Sequence, residues 1–312
     1  SGTAALEIAL RYFDLRGGEV IVPTNSFVAS ANSVIFAGGK PVLADIRADT
    51  LCLDPQDVAR RLTPHTKGVM VVHLAGLPCP QMAELQELCR SNGLFLLEDA
   101  AQAHGAAMNG KKAGSLADAG CFSFYPTKVM TTAEGGMITT NNEGLARAAR
   151  ILRDHGRDGE LHTRLGHNWR MSEVNAVLGL FQLRRLEEYL GQRERAAQRY
   201  RAGLQGMKAL SPIPVPPGVR HSYYKFPVLL SGREDSFALE QRLRDEYHIA
   251  TGKLYWPPIH LQPFYRNEFG YQEGMLPVSE EVLKRQFCLP MFVGLSNEAL
   301  AYVLASLKKE CR

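Results

Sequence analysis

Two stretches, LFLLEDAAQAHGA at 94–106 and CFSFYPTKVMTTAEGGM at 121–137, decide the reading of this chain. Each opens on a short apolar run and passes at once into small and polar residues. Such runs, with little polar alternation, are what a strand covered on both faces requires. Four further runs share the pattern: EVIVP (19–23), PVLADI (41–46), GVMVVHL (68–74) and GMITT (136–140). The two opening stretches supply LFLLED (94–99) and GCFSF (120–124). Amphipathic segments between them predict helices over 27–36, 80–91 and 143–154. Strands alternating with helices imply an α/β fold with a mostly parallel sheet. Chemistry in such sheets collects at the carboxyl ends of the strands, and Asp99 and Ser123 fall at or near such ends.

From Ser172 the pattern is helical through ERAAQRYRAGLQ, until SPIPVPPG (211–218) breaks it with four prolines. A boundary there divides the chain into a large domain, 1–208, and a small α+β domain, 209–312. In the latter, 221–230 reads as a strand, with helices over 236–249 and 296–310.

Of 312 residues, 45% are hydrophobic, enough for a substantial core. The 36 basic and 32 acidic residues give a net charge of +4 without a long basic run, which argues against nucleic acid as a partner. No apolar stretch approaches the roughly 20 residues of a membrane helix, so a soluble chain without a membrane partner is expected. Six dispersed cysteines without a CxxC pair read as reduced thiols of a cytoplasmic protein. The nine histidines show no HExxH or clustered Cys/His spacing, so no metal site is expected. The opening Ser1-Gly2-Thr3, without methionine, reads as a trimmed segment.

The pair Asp99 and Lys128 points to pyridoxal 5′-phosphate. A lysine amine forms Schiff bases with carbonyls, and a buried carboxylate can hold a pyridine nitrogen protonated. Gly2 and Thr3 open a helix whose free N–H groups favour a phosphate, and Ser123 can add a hydroxyl. Gln102 is placed to reach the phenolic oxygen of the ring, and Phe27 to stack on its face. Singly, each has a plain structural reading: a solvated lysine, an ordinary helix cap, a surface amide, a core aromatic.

Taken in order, SGTAAL, EVIVPTNSFVAS, GGKPVLADI, EDAAQAHGA, FSFYPTK, EGGMITT, GHNWRMSEVNAVLGLFQL, YWPPIHLQPFY and FCLPMF resemble the nucleotide-sugar aminotransferases of the DegT type, a branch of the fold-type I PLP enzymes. The resemblance spans residues 1–312. It implies a PLP-dependent aminotransferase that carries an amino group, through the pyridoxamine form, from an amino acid such as L-glutamate to a nucleotide-linked keto sugar. Lys128 would bear the cofactor, Asp99 pair with its pyridinium, Gln102 contact the ring oxygen, and Phe27 stack. Gly2, Thr3 and Ser123 would hold the phosphate. Asn168, in GHNWR, would reach the partner's cofactor phosphate across a homodimer with a shared active site, and His260 would border the substrate pocket. Lys128 argues against the family's dehydratases, which carry histidine there. Family members carry some tens of residues before the SGTAAL block, and Ala133 stands where glycine is common. A non-catalytic or regulatory protein with an incomplete site is the alternative.

Overall fold

The computed structural model describes residues 1–232 and 235–311. The chain runs α1 (Gly2–Tyr12), β1 (Glu19–Pro23), α2 (Ala29–Phe36), β2 (Lys40–Ala44), α3 (Pro55–Arg60), β3 (Thr66–Val72), α4 (Met82–Ser91) and β4 (Phe95–Asp99). A small ribbon, β5 (Ala107–Met108) and β6 (Lys111–Lys112), precedes β7 (Ala119–Ser123), β8 (Gly136–Thr139) and α5 (Glu143–Leu152). A second ribbon, β9 (Arg157–Asp158) and β10 (Leu161–His162), leads to α6 (Glu173–Arg184) and α7 (Leu186–Leu204). The remainder comprises β11 (Leu210–Pro212), β12 (Val219–Arg220), β13 (Phe226–Leu230), α8 (Phe237–Asp245), α9 (Pro263–Phe269), α10 (Pro277–Arg285), β14 (Gln286–Leu289) and α11 (Asn297–Glu310).

Six strands form one sheet in the order β2-β1-β3-β4-β7-β8, parallel except for the β7–β8 pair. Every residue of β1 and of β4 is buried. Because side chains alternate along a strand, the two faces carry separate cores. Ile21, Val69, Val71 and Leu96 face one cluster, and Val20, Val22, Met70 and Leu97 the other. The sheet is thus apolar on both sides, as the unalternating runs require. Asp99 and Ser123 end adjacent strands β4 and β7, which register through Asp99 and Cys121.

Beyond the prolines, β11, β13 and β14 make an antiparallel sheet. Its apolar face, with Phe226 and Val228, packs on Ala197, Tyr200 and Leu204 of α7 and on Leu300, Val303 and Leu307 of α11. The second half of α7 therefore shares its core with the C-terminal sheet. The expected strand over 221–230 begins only at Phe226, because Ser222 and Lys225 donate instead to the carbonyls of Gly76 and Ala75. Those two residues have positive φ, 94° and 58°, and their irregular backbone cannot continue a ladder. No helix of the described residues is long and apolar enough to cross a membrane.

Candidate active site

Asp99 is 6% exposed at the end of β4. Its Oδ2 accepts from the Ser30 hydroxyl at 2.6 Å, and its Oδ1 accepts from the Ala101 N–H at 3.1 Å. Ser30 spends its only hydroxyl proton there, so the 2.6 Å contact between Ser26 and Ser30 has Ser26 as donor. A carboxylate offers about four lone-pair positions. Two remain for another donor, and a cationic N–H is the partner that a buried carboxylate gains most from.

At the other end of the site, α1 starts against the β7–β8 pair. Ser1 caps the helix, its hydroxyl accepting from the Ala4 N–H at 3.1 Å. A Cβ on Gly2 would come within 2.7 Å of the Ser123 Cβ, and one on Gly136 within 2.1 Å of the Ser1 carbonyl oxygen. Only glycine admits this approach at either position. The helix N-terminus, with Gly2 and Thr3 in its first turn, is therefore held beside the Ser123 hydroxyl, a cradle suited to an anion such as phosphate.

Lys128 lies in the loop joining β7 to β8, its N–H bonded to the Tyr125 carbonyl at 2.9 Å. It is half-buried. Lys40, Lys112, Lys253 and Lys284 each meet a carboxylate; among the described residues Lys128 meets none. Its Nζ lies instead over the Tyr224 ring, 4.8 Å from the centroid.

Phe27 sits just before α2 and remains 61% exposed, its ring 6.2 Å from that of Tyr255. That exposure favours an aromatic available to a flat ligand over a core residue. Gln102 is 4% exposed, not a surface amide, and its Oε1 accepts from the Ala75 N–H at 2.7 Å. Its Nε2 donates to the Tyr255 hydroxyl at 3.2 Å, so one amide hydrogen is left for a ligand. Burial pushes the Tyr255 phenol well up, helped by Tyr224 and Asp99, and keeps it a neutral donor. Its N–H is held by Asn25 Oδ1 at 3.0 Å.

Two expected residues do not join this group. His260 is wholly buried: its Nδ1 lies 2.8 Å from Thr24 Oγ1 and its Nε2 2.9 Å from Glu280 Oε1. Burial lowers its pKa against the pull of Glu280, and both nitrogens are engaged, so the ring has no free polar atom to offer a substrate. Asn168 is exposed and bridges to Asp154; no hydrogen bond ties it to the other candidates. Four residues near the site escape sequence reasoning: Ser26, Ser30, Tyr224 and Tyr255. Only the serines leave a trace, as hydroxyls on either side of the apolar Phe27, Val28 and Ala29 in NSFVASAN.

The donor set matches what pyridoxal 5′-phosphate asks of a protein. An anion cradle closed to any Cβ, a buried carboxylate with lone pairs to spare, an uncovered aromatic face and an amine free of carboxylates are all present. Among the described residues no cluster suited to a metal ion occurs.

Comparison with known proteins gives the same class. A model of the DegT/DnrJ/EryC1/StrS aminotransferase family matches residues 1–308. GDP-perosamine synthase of Caulobacter vibrioides is 37% identical over 98% of this chain and 83% of its own length. The crystal structure of S. venezuelae DesV in complex with a ketimine intermediate superposes with a TM-score of 0.94 at 33% identity, covering 100% of this chain and 83% of that one. The PLP form of Spr1654 from Streptococcus pneumoniae gives 0.93 at 29% identity, over 99% and 85%.

Proposed function

The chain belongs to the DegT/DnrJ/EryC1/StrS aminotransferase family, and from that membership we propose a PLP-dependent transfer of an amino group from L-glutamate to a nucleotide-linked keto sugar, in the cytoplasm. When bound, pyridoxal 5′-phosphate supplies a carbonyl that takes up the amine and a ring that accepts electrons from the substrate carbon. Lys128 holds the cofactor and then moves a proton at its Nζ. Positioned proton transfer of this kind is worth about 10²–10⁴ in rate. Asp99 keeps the pyridine nitrogen protonated, and its bond from Ser30 fixes the orientation of the carboxylate. Gly2, Thr3 and Ser123 grip the phosphate, Phe27 covers the ring, and the free hydrogen of Gln102 reaches its oxygen. His260, lacking a free polar atom, shapes the pocket through Thr24 and Glu280.

The single observation that carries this reading is Lys128: a half-buried amine, without a carboxylate, in the loop that leaves the strand adjacent to Asp99. A homodimer with a shared site is part of the proposal. Helix α6 buries none of its residues, and Val174, Leu180, Phe181 and Leu183 are each more than half exposed, an apolar face that water disfavours. Asn168 stands five residues before it, suitably placed to enter a partner's site. The division at 208/209 is likewise proposed, with α7 as the element shared by both units.

The test is the visible spectrum of the protein with PLP, before and after L-glutamate, beside Lys128→Ala. The wild type should show the lysine imine band and lose it to the pyridoxamine form; the variant should show neither. A normal band and normal turnover in Lys128→Ala would overturn the assignment.

A further inference from the structure

The amine of Lys128 has to leave and rejoin the cofactor in every cycle, so a resting place for it is a requirement of the reaction. A carboxylate would hold the charged amine too firmly and would keep it protonated. The Tyr224 ring is a weaker host: a cation over an aromatic face gains enough to be localised and little enough to be released.

Tyr224 is 7% exposed and is fixed from several sides. Its hydroxyl lies 3.1 Å from Thr127 Oγ1, the residue before the lysine. Val129, the residue after it, packs against Tyr224 together with Leu190. Its carbonyl, with those of Tyr223 and Met291, receives Nη1 of Arg193 at 3.4, 3.0 and 3.3 Å. Arg193 is itself 5% exposed and meets no carboxylate among the described residues, and its Nη1 is committed to these carbonyls. The ring and the lysine loop are thereby locked together, on both sides of Lys128. Lys225, the residue after Tyr224, has its Nζ 5.4 Å from the centroid of the same ring, farther than the 4.8 Å of Lys128.

We infer that Tyr224 is a positioning residue that receives the Lys128 amine whenever it is not bonded to the cofactor, with Thr127 and Arg193 setting the ring in place. The inference rests on the reading of Lys128 as the cofactor-bearing amine. The hydroxyl serves only to orient the ring, so the aromatic face is the part that counts.

The experiment uses the cofactor-free protein and acetic anhydride, with acetylation of Lys128 measured by peptide mass spectrometry against exposed Lys67 and Lys111. Tyr224→Leu should speed acetylation of Lys128 by about 2- to 30-fold, the range that a cation over an aromatic face spans. Tyr224→Phe should stay within about 2-fold of wild type, since it keeps the face. Tyr224→Met, which also removes the aromatic face while keeping apolar bulk, should give a similar rise and stands in if the leucine variant does not fold. With the cofactor, Tyr224→Leu should lower kcat for the glutamate half-reaction with little change in KM. Unchanged Lys128 acetylation in folded Tyr224→Leu, or in Tyr224→Met where the leucine variant fails, overturns the inference. A wild type that forms no imine band with PLP would refute the assigned function instead, while the acetylation ratio would still decide where the amine rests.

Discussion

Glu98, the neighbour of Asp99, points away from the site and is wholly buried, yet its loss should be felt there. Its Oε2 accepts from His73 Nε2 at 2.8 Å and the Gly114 N–H at 2.6 Å; its Oε1 accepts from the N–H groups of Leu116 and Ala117 at 2.7 and 2.9 Å. His73 is fixed in one tautomer, because its Nδ1 accepts from the Cys79 N–H at 3.1 Å, leaving the proton on Nε2. All four partners are therefore donors. In Glu98→Gln the amide oxygen can serve two of them, and the NH2 group must face the other two, donor against donor. Two charge-assisted bonds, at about 1.5–3 kcal/mol each, are lost; breaking a buried charged arrangement by removing one member gives a similar figure, about 3–5 kcal/mol. With an unfolding entropy near 2.1 cal/mol/K per residue, 312 residues give about 0.65 kcal/mol per degree, hence a fall in Tm of about 5–8 °C. Urea unfolding followed by circular dichroism, with PLP titration beside it, measures both the loss and any loosening of Asp99. If Glu98→Gln unfolds within about 1 kcal/mol of the wild type, the four-donor account of this carboxylate is wrong.

Three other outcomes are expected. Ala133 has φ of 63°, where an alanine is strained by about 1–2 kcal/mol; after the entropy of glycine is subtracted, Ala133→Gly should gain about 0.5–1 kcal/mol in urea unfolding, and a loss would mean the loop does not hold that conformation. Burial, with a contribution from Lys128, lowers His104 to about 3, and burial with Arg201 lowers His221 to about 3. Both rings stay neutral in the fold while the unfolded chain takes up protons below about pH 6.5, so acid favours unfolding, by about 1.4 kcal/mol per pH unit for each ring between about pH 4 and 6. His104→Leu should remove one such contribution from the slope, and parallel stability curves for variant and wild type would refute the buried neutral ring. Phe181→Glu, which puts a charge on the apolar face of α6, should yield monomers in sedimentation velocity, and a dimer of unchanged affinity would place the interface elsewhere.

What the sequence made legible follows from the range of the interaction concerned. The six strands of the main sheet were readable because burial on both faces writes itself into consecutive residues, as in EVIVP and LFLLED. Their carboxyl ends came with them, and so did the candidacy of Asp99 and Ser123. Phe27 was readable as an aromatic at a strand-to-helix junction, although the helix begins two residues later than its pattern suggests. The strand expected over 221–230 failed at its first half because the partners of Ser222 and Lys225 are carbonyls of Gly76 and Ala75, far back in the chain, on backbone of an unusual conformation.

The support of the site is almost entirely of that distant kind. Ser30 reaches Asp99 across 69 residues, Tyr224 reaches Thr127 across 97, and Tyr255 reaches Gln102 across 153. None of these pairs has a spacing that local periodicity could register, and a serine or tyrosine carries no chemical signature of its own. Residues proposed to hold the cofactor are constrained by chemistry few side chains can supply, so they stand out: one lysine, one buried acid, glycines where a Cβ would collide. Residues that aim them need only the right shape and one polar atom, which many side chains provide. His260 shows the converse. The segment resemblance put it beside the substrate, but its polar atoms are bound to Thr24 and Glu280, and a motif position records that a residue matters without recording whether it touches the ligand or holds the wall behind it.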